Sequence, residues 1–345
     1  MFRAPSLPRT LEAALRDLDA DKPAERAASA HDLVAHADEA RDRVLAALDR
    51  ALKDANAAVR GAAATALADV NAVESVPALI AACDDAEMEV RGAVLSALGE
   101  LGDSAAGDKV RAALADARPE VRFQAVIAFP RVARTKKEAV EALLQATHDD
   151  DGFVCQIALR MAEEVAGDDR NTLDERVFLR ARALLAHGPP MVRVAAAVFL
   201  ARASAERADR AVREVLAAVA LDELRSGDGE DEAAAIELCG ELALRAARPG
   251  LEKRAFGAVL FRRDRLAWHA RVALARMGHE RASREIVRDL GSWDRDRRTL
   301  AVAAAGRARL AAAKDLITSM RGDAARADPG AVDEALAAFA EAKAS

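Results

Sequence analysis

The sequence predicts an all-α fold, a right-handed solenoid of about ten helical hairpins that occupies residues 1–345 as one continuous domain. Three observations lead to this prediction. Apolar residues make up 52% of the chain, but nine Phe, two Trp and no Tyr leave Ala, Leu and Val as the main core material, which suits closely packed helices. A motif recurs with a period in the low thirties. A small residue recurs at one position within that motif.

The repeat is clearest in three segments that align without gaps and begin at Asp54, Asp85 and Asp116. Each segment holds a Val-Arg pair, and successive pairs lie 31 residues apart. Looser copies of the pair follow and one precedes them. We call the first residue of each pair the anchor. The ten anchors are Glu25, Val59, Val90, Val121, Val154, Val192, Asp231, Leu266, Arg297 and Val332.

Two further positions of the motif predict a helix that starts near the anchor. Alanine recurs four residues after the anchor, as at Ala63 and Ala125, where a small side chain lets neighbouring helices approach. A large apolar residue recurs eight residues after it, as at Leu67 and Phe129. Positions i, i+4 and i+8 share one face of an α-helix. We call this the anchor helix, and we expect an apolar second helix to complete each hairpin.

An aspartate stands five residues before four of the anchors. At this position we expect it to cap the anchor helix and to favour the positive end of the helix dipole. The four aspartates are Asp54, Asp85, Asp116 and Asp149.

The regularity of the motif divides the chain into three parts. An N-terminal cap covers residues 8–50, regular repeats cover about 54–148, and degenerate repeats cover about 149–345. The spacing between anchors ranges from 31 to 39 residues. Insertions in the surface loops of a solenoid produce drift of this kind.

The combination of Asp, Val-Arg, Ala and Leu resembles the HEAT-like repeats first noted in phycobilin lyases, most sharply from Asp54 to Val132. The resemblance weakens at Asp231, where Asp-Glu replaces Val-Arg, and at Val154, where a cysteine replaces the arginine. It implies armadillo-like helical stacking and a structural ladder between the arginines after the anchors and neighbouring loop aspartates. The ladder would comprise Arg26, Arg60, Arg91, Arg122, Arg193 and Arg298 with Asp54, Asp85, Asp116 and Asp149.

No motif predicts catalysis or a cofactor. The single His-Glu pair, His279-Glu280, cannot supply the several pairs that hold the di-iron centre of HEAT-like deoxyhypusine hydroxylases. Cys83 and Cys239 fall at apolar positions, whereas Cys155 takes an arginine position and is expected to be more exposed. We therefore predict no catalytic, cofactor-binding or metal-binding residues, and no enzyme activity.

The cysteines and the apolar runs indicate a compartment. The three cysteines lie far apart and form no CxxC pair, which indicates a reducing environment. The first residues hold no apolar run long enough for a signal peptide, and no run approaches the roughly 20 residues of a membrane span. These features predict a cytoplasmic protein with no membrane partner.

The charge of the chain is unevenly distributed. Residues 250–321, which we call the basic block, carry 17 basic and 8 acidic side chains, although the whole chain has a net charge of −6. Both tryptophans lie in this block. From it we predict a candidate interface formed by Arg262, Arg263, Arg265, Trp268, Arg271 and Trp293.

Three interpretations of the basic block are open. It could be a solvated surface neutralised by the chain's own carboxylates, a protein-binding surface or a nucleic-acid-binding surface. The pI of about 5.7 disfavours nucleic acid. We predict a non-catalytic scaffold or adaptor that binds another protein through an extended curved surface lined by the second helices. The alternatives are nucleic-acid binding and, as the resemblance implies, a lyase or chaperone acting on a cofactor-bearing protein.

Overall fold

Helices make up nearly all of the chain that the structure describes. The computed structural model describes residues 9–167, 173–259 and 262–344, with side chains omitted at 187, 258–263 and 341–344. The helices cluster into two compact units, Met1–Val177 and Phe178–Ser345. Each unit is an α-solenoid of the armadillo-like kind, as predicted. Continuity of the solenoid from one unit to the other stays a prediction.

The first unit begins with one short helix, and anchor helices then alternate with second helices. The even-numbered helices carry the anchors. The helices are α1 (Leu11–Asp17), α2 (Pro23–Asp32), α3 (Ala37–Ala51), α4 (Ala57–Asp69), α5 (Val76–Ala82), α6 (Met88–Leu101), α7 (Gly107–Ala113), α8 (Pro119–Val132), α9 (Lys136–Ala146) and α10 (Gly152–Ala166), with α11 (Glu175–His187) at the boundary.

The second unit continues the same alternation. Its helices are α12 (Pro190–Ala203), α13 (Arg210–Ala220), α14 (Gly229–Glu241), α15 (Arg248–Phe256), α16 (Ala267–Arg276), α17 (Glu280–Leu290), α18 (Arg295–Arg307), α19 (Lys314–Thr318) and α20 (Pro329–Ala344). Between α15 and α16 the chain forms two short antiparallel strands, β1 (Ala258–Val259) and β2 (Arg262–Arg263). This two-stranded hairpin is a local departure from the all-helical prediction.

The anchors mark the starts of the helices. Eight of the ten anchors are the third residue of an even-numbered helix, Val332 is the fourth residue of α20, and Leu266 directly precedes α16. The predicted core positions are buried, as Ala63 and Leu67 illustrate with no exposed surface. Successive anchor helices pack on one another in the first unit, and the second helices pack on the anchor helices beside them.

In three repeats a glycine stands nine residues after the anchor and lets two anchor helices approach closely, a role that the repeat pattern did not predict. A Cβ at Gly99 would lie 2.8 Å from the Cα of Ala128 on the next anchor helix. At Gly240 a Cβ would lie 2.5 Å from the Cα of Ala273. Real Cβ atoms do not approach so closely, so only glycine lets these helices meet at this distance.

The predicted capping role of the loop aspartates is wrong by two residues. The N-cap of α4 is Asn56, not Asp54, and the N-cap of α10 is Asp151, not Asp149. The carboxylate of Asp54 instead accepts a hydrogen bond from the backbone N–H of Asn56 at 2.8 Å, which is an Asx turn. Asp85, Asp116 and Asp149 accept in the same way from the residue two positions later.

The arginine after the anchor bonds both its own loop and the next repeat. In Arg60, Nε and Nη2 donate to the two carboxylate oxygens of Asp85 at 2.6 and 2.7 Å. Its Nη1 donates to the carbonyl oxygen of Asp54, six residues earlier, at 2.8 Å. The same geometry recurs in Arg26 with Asp54, Arg91 with Asp116, and Arg122 with Asp149.

These bonds join into an unbroken ladder along the first unit. Each inner aspartate accepts from the arginine of the preceding repeat through its carboxylate, and from the arginine of its own repeat through its carbonyl oxygen. Asp85, for example, links Arg60 to Arg91. Two-point bonds between a guanidinium and a carboxylate are the strongest side-chain pairs in proteins, and these are largely sheltered from water. That the ladder stabilises the fold stays a prediction.

The ladder ends at Cys155, which stands in the arginine position of α10. Its thiol donates to the carbonyl oxygen of Asp149, again six residues earlier, with Sγ at 3.0 Å. A cysteine side chain is too short to reach the next repeat as well. The expectation that Cys155 would be more exposed is wrong, because the thiol turns inward to this carbonyl and is buried.

The two ladder arginines of the second unit bond the main chain rather than an aspartate. Arg193 donates through Nε to the carbonyl oxygen of Leu185 at 3.0 Å. Arg298 donates through Nη1 to Ser292, six residues earlier, at 2.7 Å, and through Nε to the carbonyl oxygen of Arg326. Alanine stands at 327, the position of the aspartate in a regular repeat, so Arg298 bonds the backbone of that loop instead.

We expect Arg91→Ala to destabilise the protein more than Arg281→Ala. The Arg91 side chain is 16% exposed and bonds Asp116 and the loop carbonyls, whereas Arg281 is 58% exposed. Removing a partly buried, hydrogen-bonded charge costs about 1–3 kcal/mol, and removing an exposed one is close to neutral. Urea unfolding followed by circular dichroism measures both. Equal midpoints for the two variants would show that the ladder does not stabilise the fold.

Acid should weaken the ladder. Hydrogen bonds from Arg26 lower the pKa of Asp54, and those from Arg60 lower the pKa of Asp85, both against the opposing effect of burial. A carboxylate with a lowered folded-state pKa stabilises the fold above its unfolded value of 3.8, and that stabilisation is lost as pH falls through the folded pKa.

The urea midpoint should therefore stay level from neutral pH to about pH 5 and decline below about pH 4. Asp85→Asn removes one titratable carboxylate from the ladder. The urea midpoint of this variant should therefore be lower at neutral pH and should fall less steeply as the pH is lowered. Parallel acid profiles for wild type and Asp85→Asn would contradict the assignment.

Candidate protein-binding surface

The predicted interface residues are not gathered on one exposed surface. Arg262 and Arg263 form β2 by their backbone, and their side chains lie outside the described residues. Arg265 pairs with the carboxylate of Glu232. Arg271 is only 8% exposed, with Nη1 at 3.8 Å from carboxylate oxygens of Glu285 and Asp289. Arg265 and Arg271 are thus committed to the chain's own carboxylates.

The two predicted tryptophans differ in exposure. Trp268 is partly buried on α16, and the guanidinium carbon of Arg271 lies 5.9 Å from its ring centroid. Trp293, in the loop before α18, is 95% exposed. Of the six predicted interface residues, Trp293 is the one whose apolar surface the described structure leaves open to solvent.

The glutamate after the anchor Asp231 inverts the chemistry of the ladder. The Oε1 atom of Glu232 accepts from the backbone N–H of Ser226, six residues earlier, at 3.0 Å, and of Gly227 at 3.3 Å. Its Oε2 accepts from Arg265 of the next repeat, and the side chain is 5% exposed. An anion that accepts from the loop thus replaces a cation that donates to it. The sequence analysis treated Asp-Glu as a weakened repeat and missed this role.

A polar cavity of about 430 Å³ lies beside Glu232. Arg254 of α15 crosses it, donating to Asp264 at 2.9 Å, to Asp222 at 3.0 Å and to the carbonyl oxygen of Ala220 at 3.0 Å. Three arginines and three carboxylates line the cavity, so it offers a ligand no unmatched charge. Arg254 was missed because it lies on a second helix, outside the repeated positions.

A partly buried carboxylate, that of Glu237 on α14, joins three anchor helices. Its Oε1 accepts from Nδ1 of His269 on α16 at 2.6 Å and from Nη1 of Arg307 on α18 at 2.9 Å. Burial raises the pKa of Glu237, but the bonds from His269 and Arg307 outweigh that effect and lower it. His269 is therefore held as a hydrogen-bond partner of Glu237.

The solvent-facing side of α17 carries three exposed arginines of the basic block. Arg281, Arg284 and Arg288 follow the i, i+3, i+7 spacing of one helical face, and all three are exposed. Trp293 follows them in the next loop. We call these four residues the α17 face. The opposite side of α17 is buried through Ala282, Ile286 and Leu290.

Arg281 pairs with Glu285 and Arg284 with Glu280, both one turn away on the same helix, and Arg288 pairs with the buried Asp289. The guanidinium carbon of Arg281 also lies 4.0 Å from the ring centroid of Phe256. The exposed pair of Arg284 with Glu280 contributes little free energy, typically below about 1 kcal/mol. A partner carboxylate can therefore compete for the Arg284 guanidinium at small cost, which is untrue of Arg271.

The thiols give no sign of catalytic activation. Burial raises the pKa of Cys83 to about 11 and that of Cys239 to about 12, so both stay protonated at neutral pH. Among the described residues there is no group of three or more His, Cys, Asp or Glu side chains placed to hold a metal ion. No helix in the described part of the chain has the length and apolar character needed to cross a membrane.

The repeat is also recognised by family comparison. A sequence model of HEAT repeats matches residues 44–130 and 76–164, the part in which the arginine ladder is regular. Residues 44–164 of the chain consist of HEAT repeats. No curated protein is similar enough in sequence to count as a relative.

Solved structures with this fold resemble the HEAT-repeat chain at low sequence identity. The Escherichia coli protein YibA superposes with a TM-score of 0.53 at 16% identity, covering 78% of this chain and 93% of that one. The complex of CpcE and CpcF of phycocyanin lyase from Nostoc sp. PCC7120 gives 0.43 at 19% identity, covering 73% and 96%. Importin beta gives 0.48 at 15% identity, covering 96% and 51%. The similarity to YibA concerns the fold alone.

Proposed function

We propose that this HEAT-repeat protein is a non-catalytic scaffold that binds an acidic surface of another protein through the α17 face. The observation that carries the proposal is Trp293, an indole that is 95% exposed at the end of an arginine-lined helix. HEAT and armadillo-like solenoids commonly present extended surfaces to protein partners. The surface predicted from the sequence was that of the second helices, and α17 is one of them.

An indole exposed to water gains free energy when a partner covers it. Tryptophan buries 150–250 Å² of surface in a contact, and Trp and Arg are the residue types that most often dominate the binding energy of protein interfaces. Trp293 directly precedes Asp294, the N-cap of α18, so the start of a helix holds its backbone in place. A fixed backbone lowers the entropy lost when the side chain becomes an anchor.

The charge around the indole favours an acidic partner. Arg281, Arg284 and Arg288 project from one face of α17, and residues 178–345 carry 29 basic and 24 acidic side chains. A field of this sign raises the rate of encounter with an acidic protein and is screened over roughly 8 Å at physiological salt.

Nucleic acid is the weaker candidate because few cations of the basic block are available. Binding to a phosphate backbone requires several arginines to exchange their counterions for phosphates. Arg254, Arg265, Arg271 and Arg307 are instead bound to carboxylates of the chain itself. No observation favours action on a cofactor-bearing protein, and the scaffold proposal does not require it.

The test is affinity capture with two interface variants and one matched control. Arg281→Glu, Arg284→Glu and Arg288→Glu together should slow association and flatten its salt dependence, because steering is lost. Trp293→Ala should chiefly speed dissociation, because an anchor is lost. The control reverses Arg210, Arg225 and Arg248, which are equally exposed arginines paired with nearby carboxylates.

Captured proteins are identified by mass spectrometry, and their binding to each variant is then measured by surface plasmon resonance. The proposal expects an acidic protein that loses binding to the interface variants and not to the control. Identical kinetics for all variants would contradict it. Captured material that nuclease treatment releases would assign the α17 face to nucleic acid instead.

A further inference from the structure

The first unit has two glycines whose position the fold does not explain. Gly61 and Gly92 stand two residues after the anchors of α4 and α6, in the interior of each helix. A glycine inside a helix destabilises it relative to alanine, since its backbone loses more freedom on folding. A helical position that faces solvent normally carries a good helix former such as Lys, Glu or Ala.

Neither glycine has the structural reason that applies to Gly99. A Cβ added at Gly61 would meet nothing within 4 Å, and one added at Gly92 would meet only a side-chain carbon of Gln124, at 3.8 Å. Both residues lie in regular helix with negative φ. The space above them is open, so the absence of side chains leaves room for something outside the chain. Close approach of a ligand backbone is a recognised reason for such a glycine.

Acidic side chains occur near these glycines in the repeat. Glu89 and Glu120 each directly precede an anchor, in the first turns of α6 and α8, and both are exposed. Neither forms an ion pair with any residue that the structure describes. Phe153 occupies the same position at the start of α10 and is 61% exposed. Residues 1–177 carry 33 acidic and 22 basic side chains, so the surrounding field is also negative.

We propose that this face of the first unit, formed by Gly61, Glu89, Gly92, Glu120 and Phe153, docks a basic segment of a partner protein. We call it the glycine face. The backbone of the segment crosses Gly61 and Gly92, its cationic side chains pair with Glu89 and Glu120, and an apolar side chain covers Phe153. The proposal concerns a surface of opposite charge to the α17 face and does not depend on it.

The spacing of the anchor helices constrains the segment further. Packed helices lie about 8–10 Å apart, so Glu89, Glu120 and Phe153 mark steps of about that length. An extended chain advances about 3.3 Å per residue, and one step corresponds to about three residues. The segment that fits has two basic residues about three positions apart and an apolar residue about three positions beyond them.

Fluorescence anisotropy with two synthetic peptides tests the proposal. The first is a fluorescein-labelled peptide of about 12 residues, with arginines at every third position and leucine at the next such position, long enough to cross the three helices. The second has glutamate in place of each arginine. The full-length protein should bind the basic peptide, with an affinity that falls as salt is raised, and should not bind the acidic one.

Four variants locate the site. Glu89→Lys with Glu120→Lys should weaken binding by at least about tenfold, whereas Asp38→Lys with Glu39→Lys, the same change in the first turn of α3, should leave it unchanged. Gly92→Leu should fill the open space above α6 and weaken binding of the peptide. Gly92→Ala should raise the melting temperature of the free protein, since its Cβ would make only an ordinary contact with Gln124.

The outcomes separate clearly. Failure of the basic peptide to bind at low salt, or equal loss of binding in both double-lysine variants, would overturn the proposal, the second because it shows attraction to net charge alone. Full binding by Gly92→Leu would overturn the role of the open space above α6. None of these results bears on Trp293, so failure here is distinguishable from failure of the α17 face.

Discussion

In seven of the ten repeats the side chain that follows the anchor bonds the main chain six residues earlier, and we infer that the repeat depends on this contact. This contact fixes the loop that leads into each anchor helix relative to the helix itself. In Arg60 and Arg91 the same side chain also reaches the aspartate of the next repeat, so the geometry of one loop determines the placement of the next. A solenoid has only neighbour contacts, and a bond that passes from each repeat to the next therefore carries regularity along the unit.

The chemistry of this contact varies more than its geometry. Arginine donates to the loop carbonyl in the regular repeats, and Cys155 donates to the same carbonyl through its thiol. Glu232 reverses the direction and accepts from the loop N–H groups, with Arg265 as its partner in the next repeat. A buried charge is tolerated only when hydrogen bonds and a counter-charge surround it, and the loop backbone and next repeat supply both for the arginines of the regular repeats and for Glu232. The repeat can therefore change the sign of its charge without losing the contact.

Sequence reasoning located the helices because anchor positions combine burial with helical spacing, as Val59, Ala63 and Leu67 do. It failed where the answer depends on contacts between distant residues. Asp85 was expected at an N-cap, but the arginine one repeat earlier engages its carboxylate. Arg271 was expected on the surface, yet it is buried against carboxylates of α17. The sequence shows how many arginines the basic block contains. It does not show which of them face solvent, because that depends on how each second helix packs against its anchor helix.

The contact with the loop and the ion pair with the next repeat can be separated by exchanging the charges of Glu232 and Arg265. Glu232→Arg combined with Arg265→Glu keeps an ion pair between neighbouring repeats, but it sets a guanidinium against the N–H groups of Ser226 and Gly227. The decisive measurement is the urea midpoint of this double variant beside that of Glu232→Arg alone. We expect the double variant to remain as unstable as the single one. Recovery of the wild-type midpoint would contradict the account and show that the ion pair alone suffices.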